Sequence, residues 1–271
     1  LSEILLPSMQ VEKPWGCDVL PQPFVAPEGV RIGEIWFEPP SQIPDLLVKY
    51  IFASDRLSVQ VHPSDTQTLA QGIGRQGKEE CWLVIAADED ARLGIGFREP
   101  IDGDAMRAAA LNGAIEDMLV WHKVKPGDFF YIPANTVHAI GAGVSVIEIQ
   151  QNSDITYRLF DYGRPRELHL DEGLAVSKGE VYDLARWHKT LPESGTVALV
   201  DGPYFRLDRV NGVADQALLA RYAQGPLLVV PMQGLVMVKG QVVAPGACAQ
   251  AAALEDVSWE GDALWLLAKA L

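Results

Sequence analysis

Short β-rich runs, each cut off by Gly, Pro or Asp, constrain this chain more than any other feature. Leu46–Phe52, Leu57–Val61, Trp82–Ala86, Phe129–Ile132 and Val144–Ile149 all have this form. The 24 glycines and 18 prolines are spread along the chain. Both residue types set turn dihedrals, so the pattern predicts many short strands closed into a barrel or sandwich. Helix is scarce. Gly103–Leu119 reads as a helical insertion broken at Asn112-Gly113, and a short helix is expected around Leu170–Lys178. Residues 181–193 read as a linker, and 194–271 return to strand-turn-strand patterning. A Pro-Gly turn after a strand occurs in both halves (Lys125–Asp128 and Ala244–Ala247) and hints at two related β-units.

Charge bounds the partners. Lys and Arg total 22 against 36 Asp and Glu, a formal net charge of −14. A general nucleic-acid binder or a protein seated on anionic lipid needs a basic face, so neither is expected. At first sight the same acidity disfavours an anionic substrate. The three cysteines (Cys17, Cys81, Cys248) form no CxxC pair and no disulfide framework, which suits a reducing cytoplasm. No apolar run reaches the roughly 18 residues of a membrane helix. The first residues, with Glu3 and no basic stretch, do not read as a secretory signal, and Leu at position 1 suggests a trimmed start.

Histidine is the informative residue: there are five, none after His188, so a metal site belongs to the N-terminal part. Gln60 and His62 are two apart on an expected strand and share a face. Glu80 follows on another strand, with Lys78 and Trp82 on its face. The segment GDFFYIPANTVH delivers His138 after a Pro turn. Two imidazoles, a carboxylate and an amide oxygen would suit zinc or another borderline divalent ion better than calcium or copper(I). Each piece also has a plainer reading: an incidental QxH, a solvated strand carboxylate beside Lys78, a turn-capping histidine.

Gly127, Pro133 and His138 fall in the register of the second cupin motif, with Asn135 at the usual Gly position; Asn tolerates the left-handed conformation better than most residues. The first motif, normally HxH followed closely by Glu, is here QxH, with Glu80 18 positions after His62. The blocks LSVQVHPSD (57–65), GKEECW (77–82), GDFFYIPANTVHAIGAG (127–143) and EIQQNSDITYRLFDYGRPRELH (148–169) resemble the type I mannose-6-phosphate isomerase family in its short bacterial form. The likeness runs from EKPWG (12–16) and GEIW (33–36) to about residue 178.

The resemblance implies a mainly β double-stranded β-helix (cupin, jelly-roll) at 1–180, carrying the helical insertion at 103–119. A 181–193 linker and a metal-free, cupin-like unit at 194–271 would follow. It implies one Zn2+ per chain, or another divalent metal, on Gln60, His62, Glu80 and His138. The implied activity is aldose–ketose isomerisation of mannose 6-phosphate and fructose 6-phosphate through an enediolate. That chemistry needs an acid/base near C1 and C2, an electrophile for the carbonyl oxygen and a cation for the phosphate. Glu148, ten residues from both His138 and Arg158, is a candidate proton shuttle, or a strand carboxylate paired with an arginine. Arg158 resembles the family's active-site arginine, or pairs with Asp154 or Asp161. Lys78 would orient sugar hydroxyls or assist proton transfer, and Arg164 is a further phosphate candidate. Another sugar, an unphosphorylated aldose or a non-enzymatic sugar-binding cupin are the competing functions. His122 is expected at a strand edge and His169 and His188 in structural roles, Cys81 opposite Glu80, Trp15 and Trp36 in packing, and Asp154 and Tyr157 holding their loop. Net charge reports on the whole surface, so an acidic shell around one locally basic pocket remains compatible with a sugar phosphate.

Overall fold

The computed structural model describes residues 4–271; Glu3, part of the start region, lies outside them. The expected mainly β architecture is present as layered antiparallel sheets. The central layer has seven strands in the order Ser8–Cys17, Ile32–Phe37, Leu46–Ala53, Val144–Gln151, Glu80–Ala87, Asp128–Ile132 and His188–Thr190. Against one face lies a five-stranded sheet ordered Tyr157–Phe160, Val59–Val61, His138–Ile140, Arg92–Phe97 and Leu119–Lys123. Against the other lies a C-terminal five-stranded sheet formed from strands between Val197 and Ala270. A three-stranded sheet between Val236 and Trp259 backs the C-terminal layer.

Alternation along each strand creates these layers. In Glu80–Ala87, Cys81 and Leu83 enter the core shared with Phe205, Leu207 and Leu266 of the C-terminal sheet. Trp82 and Val84 point the other way, among Ile51, Leu93 and Ile95. Strand Leu46–Ala53 is buried at every position because both faces are covered. The helical insertion is split where expected: Gly103–Asn112 is capped by Asp102 and ended by left-handed Gly113 (φ 85°). Met106, Ala109 and Ala110 pack it onto the outside of the five-stranded sheet with helix Leu170–Val176. The segment expected as a linker is more ordered than its composition suggests. Leu184–Trp187 is a helical turn, and His188–Thr190 completes the edge of the central sheet against Asp128–Phe130.

Turns on one side of this sandwich are tied together. Ser64 caps helix Asp65–Gln71 in a reciprocal capping box with Gln67. Asn135 takes the left-handed conformation (φ 72°) expected from its place in the motif. Its backbone N–H donates to the His62 carbonyl (2.8 Å) and its amide to Gln67 (2.6 Å). Gly77, entering the strand that carries Glu80, passes this turn at close range. A Cβ there would stand 2.4 Å from the Pro63 carbonyl oxygen. We predict that Gly77→Ala lowers unfolding free energy by roughly 1–3 kcal/mol through backbone overpacking. Gly103→Ala, at the start of an exposed helix with open space around its Cα, should change it little. Urea titrations showing equal effects would contradict this close-approach account.

Candidate metal centre and cleft

His62 directly follows the short strand Val59–Val61, Glu80 begins Glu80–Ala87, and His138 begins His138–Ile140. Their ligand atoms lie within 4.8 Å of one another, and all three side chains are buried. Both imidazoles are held the same way: His62 Nδ1 is 2.9 Å from the Ile155 carbonyl and His138 Nδ1 2.8 Å from the Thr136 carbonyl. A carbonyl can only accept, so each Nδ1 carries the proton and each Nε2 keeps its lone pair. Those Nε2 atoms converge on Glu80, at 3.6 Å for His62 and 3.3 Å for His138.

The electrostatics match a cation site. Burial, aided by Lys78, pushes the His62 imidazole down to about 4, against the opposing pull of Glu80. Burial also lowers His138. For Glu80, burial opposes ionisation, but Lys78 and the two histidines outweigh it and hold the carboxyl well below its ordinary range. Two neutral imidazoles and one carboxylate therefore face one point near neutral pH. Neither carboxylate oxygen accepts an aligned hydrogen bond among the described residues. Lys78 Nζ stands 2.7 Å from Glu80 Oε2 and 3.1 Å from His62 Nε2. Gln60 is in place too, but its amide is turned. Nε2 lies 3.3 Å from His138 Nε2, while Oε1 accepts from Ser58 at 3.1 Å. A half-turn of this amide exchanges the two ends and puts oxygen into the donor set. The four-residue set fits a borderline divalent ion, with two nitrogens and two oxygens as donors.

Above this centre opens a cleft of about 550 Å³, with Gln60, Lys78 and Trp82 in its floor. Its wall is one rank of residues running directly across the central sheet. Trp36 pairs with Lys49, Lys49 with Glu148, and Glu148 with Trp82. Glu148 takes an ion pair from Lys49 (3.0 Å) and a hydrogen bond from Trp82 Nε1 (2.8 Å), so its partner is a lysine rather than an arginine. Lys49 stands 5.0 Å from the centre of the Trp36 ring. Trp36 Nε1 donates to Glu34 (3.0 Å), and Glu34 pairs with Lys13 (3.1 Å). Burial works against charge on Lys49, yet Glu148 and Glu34 raise its pKa overall. Burial likewise opposes ionisation of Glu34, and Lys49 and Lys13 overcome it.

Lys13, Glu34 and Lys49 were not among the residues expected here. Their signal was present: Lys49 is the lone charge in LLVKYIF, and Lys13 and Glu34 lie in the EKPWG and GEIW blocks. Trp15 packs in the core, as expected, and also borders the cleft; Trp36 forms part of the cleft wall.

The opposite wall is cationic. Arg158 pairs across strands with Gln60, which aims it into the cleft. It makes no carboxylate ion pair among the described residues; its polar contact is the Glu167 carbonyl at 3.4 Å. Burial, then the nearby Arg166, lowers its pKa. Arg164, the third expected substrate contact, is not in the cleft lining. It is engaged by Asp55 (2.7 Å) and Asp161 (3.1 Å). Arg166, two residues on, takes its place in the cleft, held by both oxygens of buried Asp161 (2.6 and 2.8 Å). The Pro165 turn sends these arginines in different directions, and their spacing alone does not say which one enters.

His169 lines the cleft and accepts the Arg158 backbone N–H at 3.2 Å. Asp154 is also in the lining, and the Tyr157 hydroxyl donates to Gln71 at 3.4 Å. His122 is on the edge strand Leu119–Lys123, as expected, and His188 lies 3.5 Å from Asp128.

Removing one member of the buried pair tests the wall. We predict that Lys49→Met costs about 3–5 kcal/mol by stranding Glu148. Lys49→Met combined with Glu148→Gln should recover most of that loss in urea unfolding. Additive losses would contradict the pairing.

No protein-family model matches the chain. Curated relatives do. The mannose-6-phosphate isomerase ManA of Bacillus subtilis is 39% identical over 176 residues, covering 61% of this chain and 55% of that protein. A mannose-6-phosphate isomerase of Streptococcus mutans is 38% identical over 192 residues, covering 66% and 60%. The matched region thus spans somewhat more than half the length of these relatives. The structure of the Bacillus subtilis mannose 6-phosphate isomerase superposes with a TM-score of 0.80 at 25% identity, covering 98% of this chain and 99% of that one. Over this region the chain is thus similar in sequence to curated mannose-6-phosphate isomerases, and over nearly its whole length it is similar in fold to a solved one.

Proposed function

We propose that this protein is a zinc-dependent aldose–ketose isomerase interconverting mannose 6-phosphate and fructose 6-phosphate. The observation that carries the reading is a cleft with Gln60 and Lys78 in its floor, next to the buried His62–Glu80–His138 cluster, and an arginine pair with spare positive charge in its wall. Charge pairing decides where the phosphate goes. Lys13 and Lys49 are matched by Glu34 and Glu148. Arg158 has no carboxylate ion pair among the described residues, and Arg166 shares Asp161 with Arg164. The phosphate therefore binds at the Arg158–Arg166 end, and C1 and C2 lie toward the metal and Glu148. The acidic chain carries a basic pocket there, since net charge does not set the field in one cleft.

When bound, the divalent ion acts as a Lewis acid toward the oxygens on C1 and C2. The protein's groups carry the protons. Glu148 takes the C2 proton, leaving an enediolate, and returns it to C1; Lys49 and Trp82 keep its carboxylate facing the cleft. Lys78 protonates O1 as charge develops there and receives the O2 proton as the ketone forms, so the enzyme ends unchanged. Arg158 supports both the phosphate and the developing negative charge.

The same reading divides the chain into a catalytic unit at 1–180 and a metal-free unit at 194–271, consistent with the absence of histidine after His188. It places the enzyme in the cytoplasm, consistent with three free thiols. No helix among the described residues is long and apolar enough to cross a membrane.

A coupled assay for fructose 6-phosphate tests the activity. Chelation should abolish turnover and zinc should restore it. Full activity after verified metal removal would sink the metal mechanism, and equal use of mannose and mannose 6-phosphate would sink the phosphate assignment. Arg166→Ala should raise KM roughly 10–100-fold, the scale of one charged hydrogen bond, with zinc content unchanged. Arg164→Ala should leave KM within about threefold, since its contacts are internal.

A further inference from the structure

Gln150 is buried beside the metal centre and has a free acceptor. It pairs directly with Glu80 across neighbouring strands, so the two side chains share the cleft-facing side of the sheet. The residue is 0% exposed. Its amide nitrogen donates to the Gln151 carbonyl (2.7 Å) and the Ser153 carbonyl (2.8 Å), which fixes the orientation of the amide. Its Oε1 is buried and accepts no hydrogen bond among the described residues. A buried, unpartnered amide oxygen is costly, and such an atom in a folded protein calls for an explanation.

Lys78 supplies the matching need. Its ammonium lies against Glu80 Oε2 and His62 Nε2, at 2.7 and 3.1 Å. His62 Nε2 has one lone pair, because Nδ1 carries the proton. That lone pair serves either the ammonium or a metal ion, never both. A bound dication also repels the ammonium at this range. Lys78 is only 5% exposed and borders the cleft floor, so an ammonium leaving these atoms turns toward the cleft or onto a second acceptor inside the protein.

We propose that Gln150 is a positioning residue whose Oε1 receives the Lys78 ammonium when a divalent ion occupies the His62–Glu80–His138 donors. Lys78 then has two stations: on the ligands in the metal-free protein, and on Gln150 in the loaded one. Gln150 also holds the turn at Ser153, which lines the cleft, so metal loading and the position of Lys78 toward substrate are linked through one amide. The inference rests on the metal-centre reading but is independent of the sugar substrate.

A double-mutant cycle in zinc affinity tests it, using a competing chromogenic chelator on the full chain. Gln150→Leu should weaken zinc binding about tenfold when Lys78 is present, by stranding a buried ammonium. In a Lys78→Met background the same substitution should change affinity less than threefold. Gln150→Met, similar in length and without oxygen, repeats the test should Leu not be accommodated. Gln150→Glu loses the same amide donors but keeps an acceptor, and it should preserve tight binding. In the metal-free protein, urea unfolding should show no coupling between positions 78 and 150. Equal zinc weakening with and without Lys78, or equal coupling in the metal-free protein, would overturn the two-station proposal alone. Failure of the wild-type protein to bind zinc would overturn both this proposal and the metal centre.

Discussion

Charged side chains inside a sandwich must be matched, because an isolated buried charge is far costlier than a paired one. The central sheet meets this constraint by rank. Lys49 stands opposite Glu148, and Glu148 opposite Trp82, so strand register alone brings charge to countercharge and donor to acceptor. Two residues along the same strands, Gln150 stands opposite Glu80. A one-residue slip would turn every one of these groups to the other face, into the apolar core shared with the C-terminal sheet. Register thus protects the fold and the site together.

The candidate metal centre extends the same logic. Glu80 and the two histidines come from three strands in two sheets, and the turns around Pro63, Gly77 and Asn135 keep those strands in contact. Backbone carbonyls hold both Nδ1 atoms, leaving the Nε2 lone pairs directed inward. The donors are arranged by the backbone before any ion arrives. Such preorganisation favours binding because little side-chain freedom is lost on loading.

Much of this was legible in the sequence where local chemistry decides structure. Turn residues marked the strand ends, Asn112-Gly113 marked the break in the helical insertion, and Asn135 took the left-handed turn its motif position called for. Alternation put Cys81 opposite Glu80 and Trp82. What escaped depends on long-range pairing. The Lys49–Glu148 and Lys13–Glu34 pairs join segments distant in sequence, and nothing local says which strands become neighbours. Arg164 and Arg166 differ only in how the chain turns around Pro165, and buried Asp161 settles that by holding Arg166 at two points. The edge strand His188–Thr190 has a polar composition because its exposed side needs no apolar pattern.

In the proposed function, one cleft takes a divalent ion at its floor and an anion at its arginine wall. Diffraction at the zinc absorption edge, from a crystal grown with zinc and fructose 6-phosphate, tests both halves at once. An anomalous peak is expected about 2.0–2.2 Å from Gln60 Oε1, His62 Nε2, a Glu80 oxygen and His138 Nε2. The phosphate is expected against Arg158 and Arg166. An ion outside that donor set, or a phosphate against Lys13 and Lys49, would contradict the proposed function.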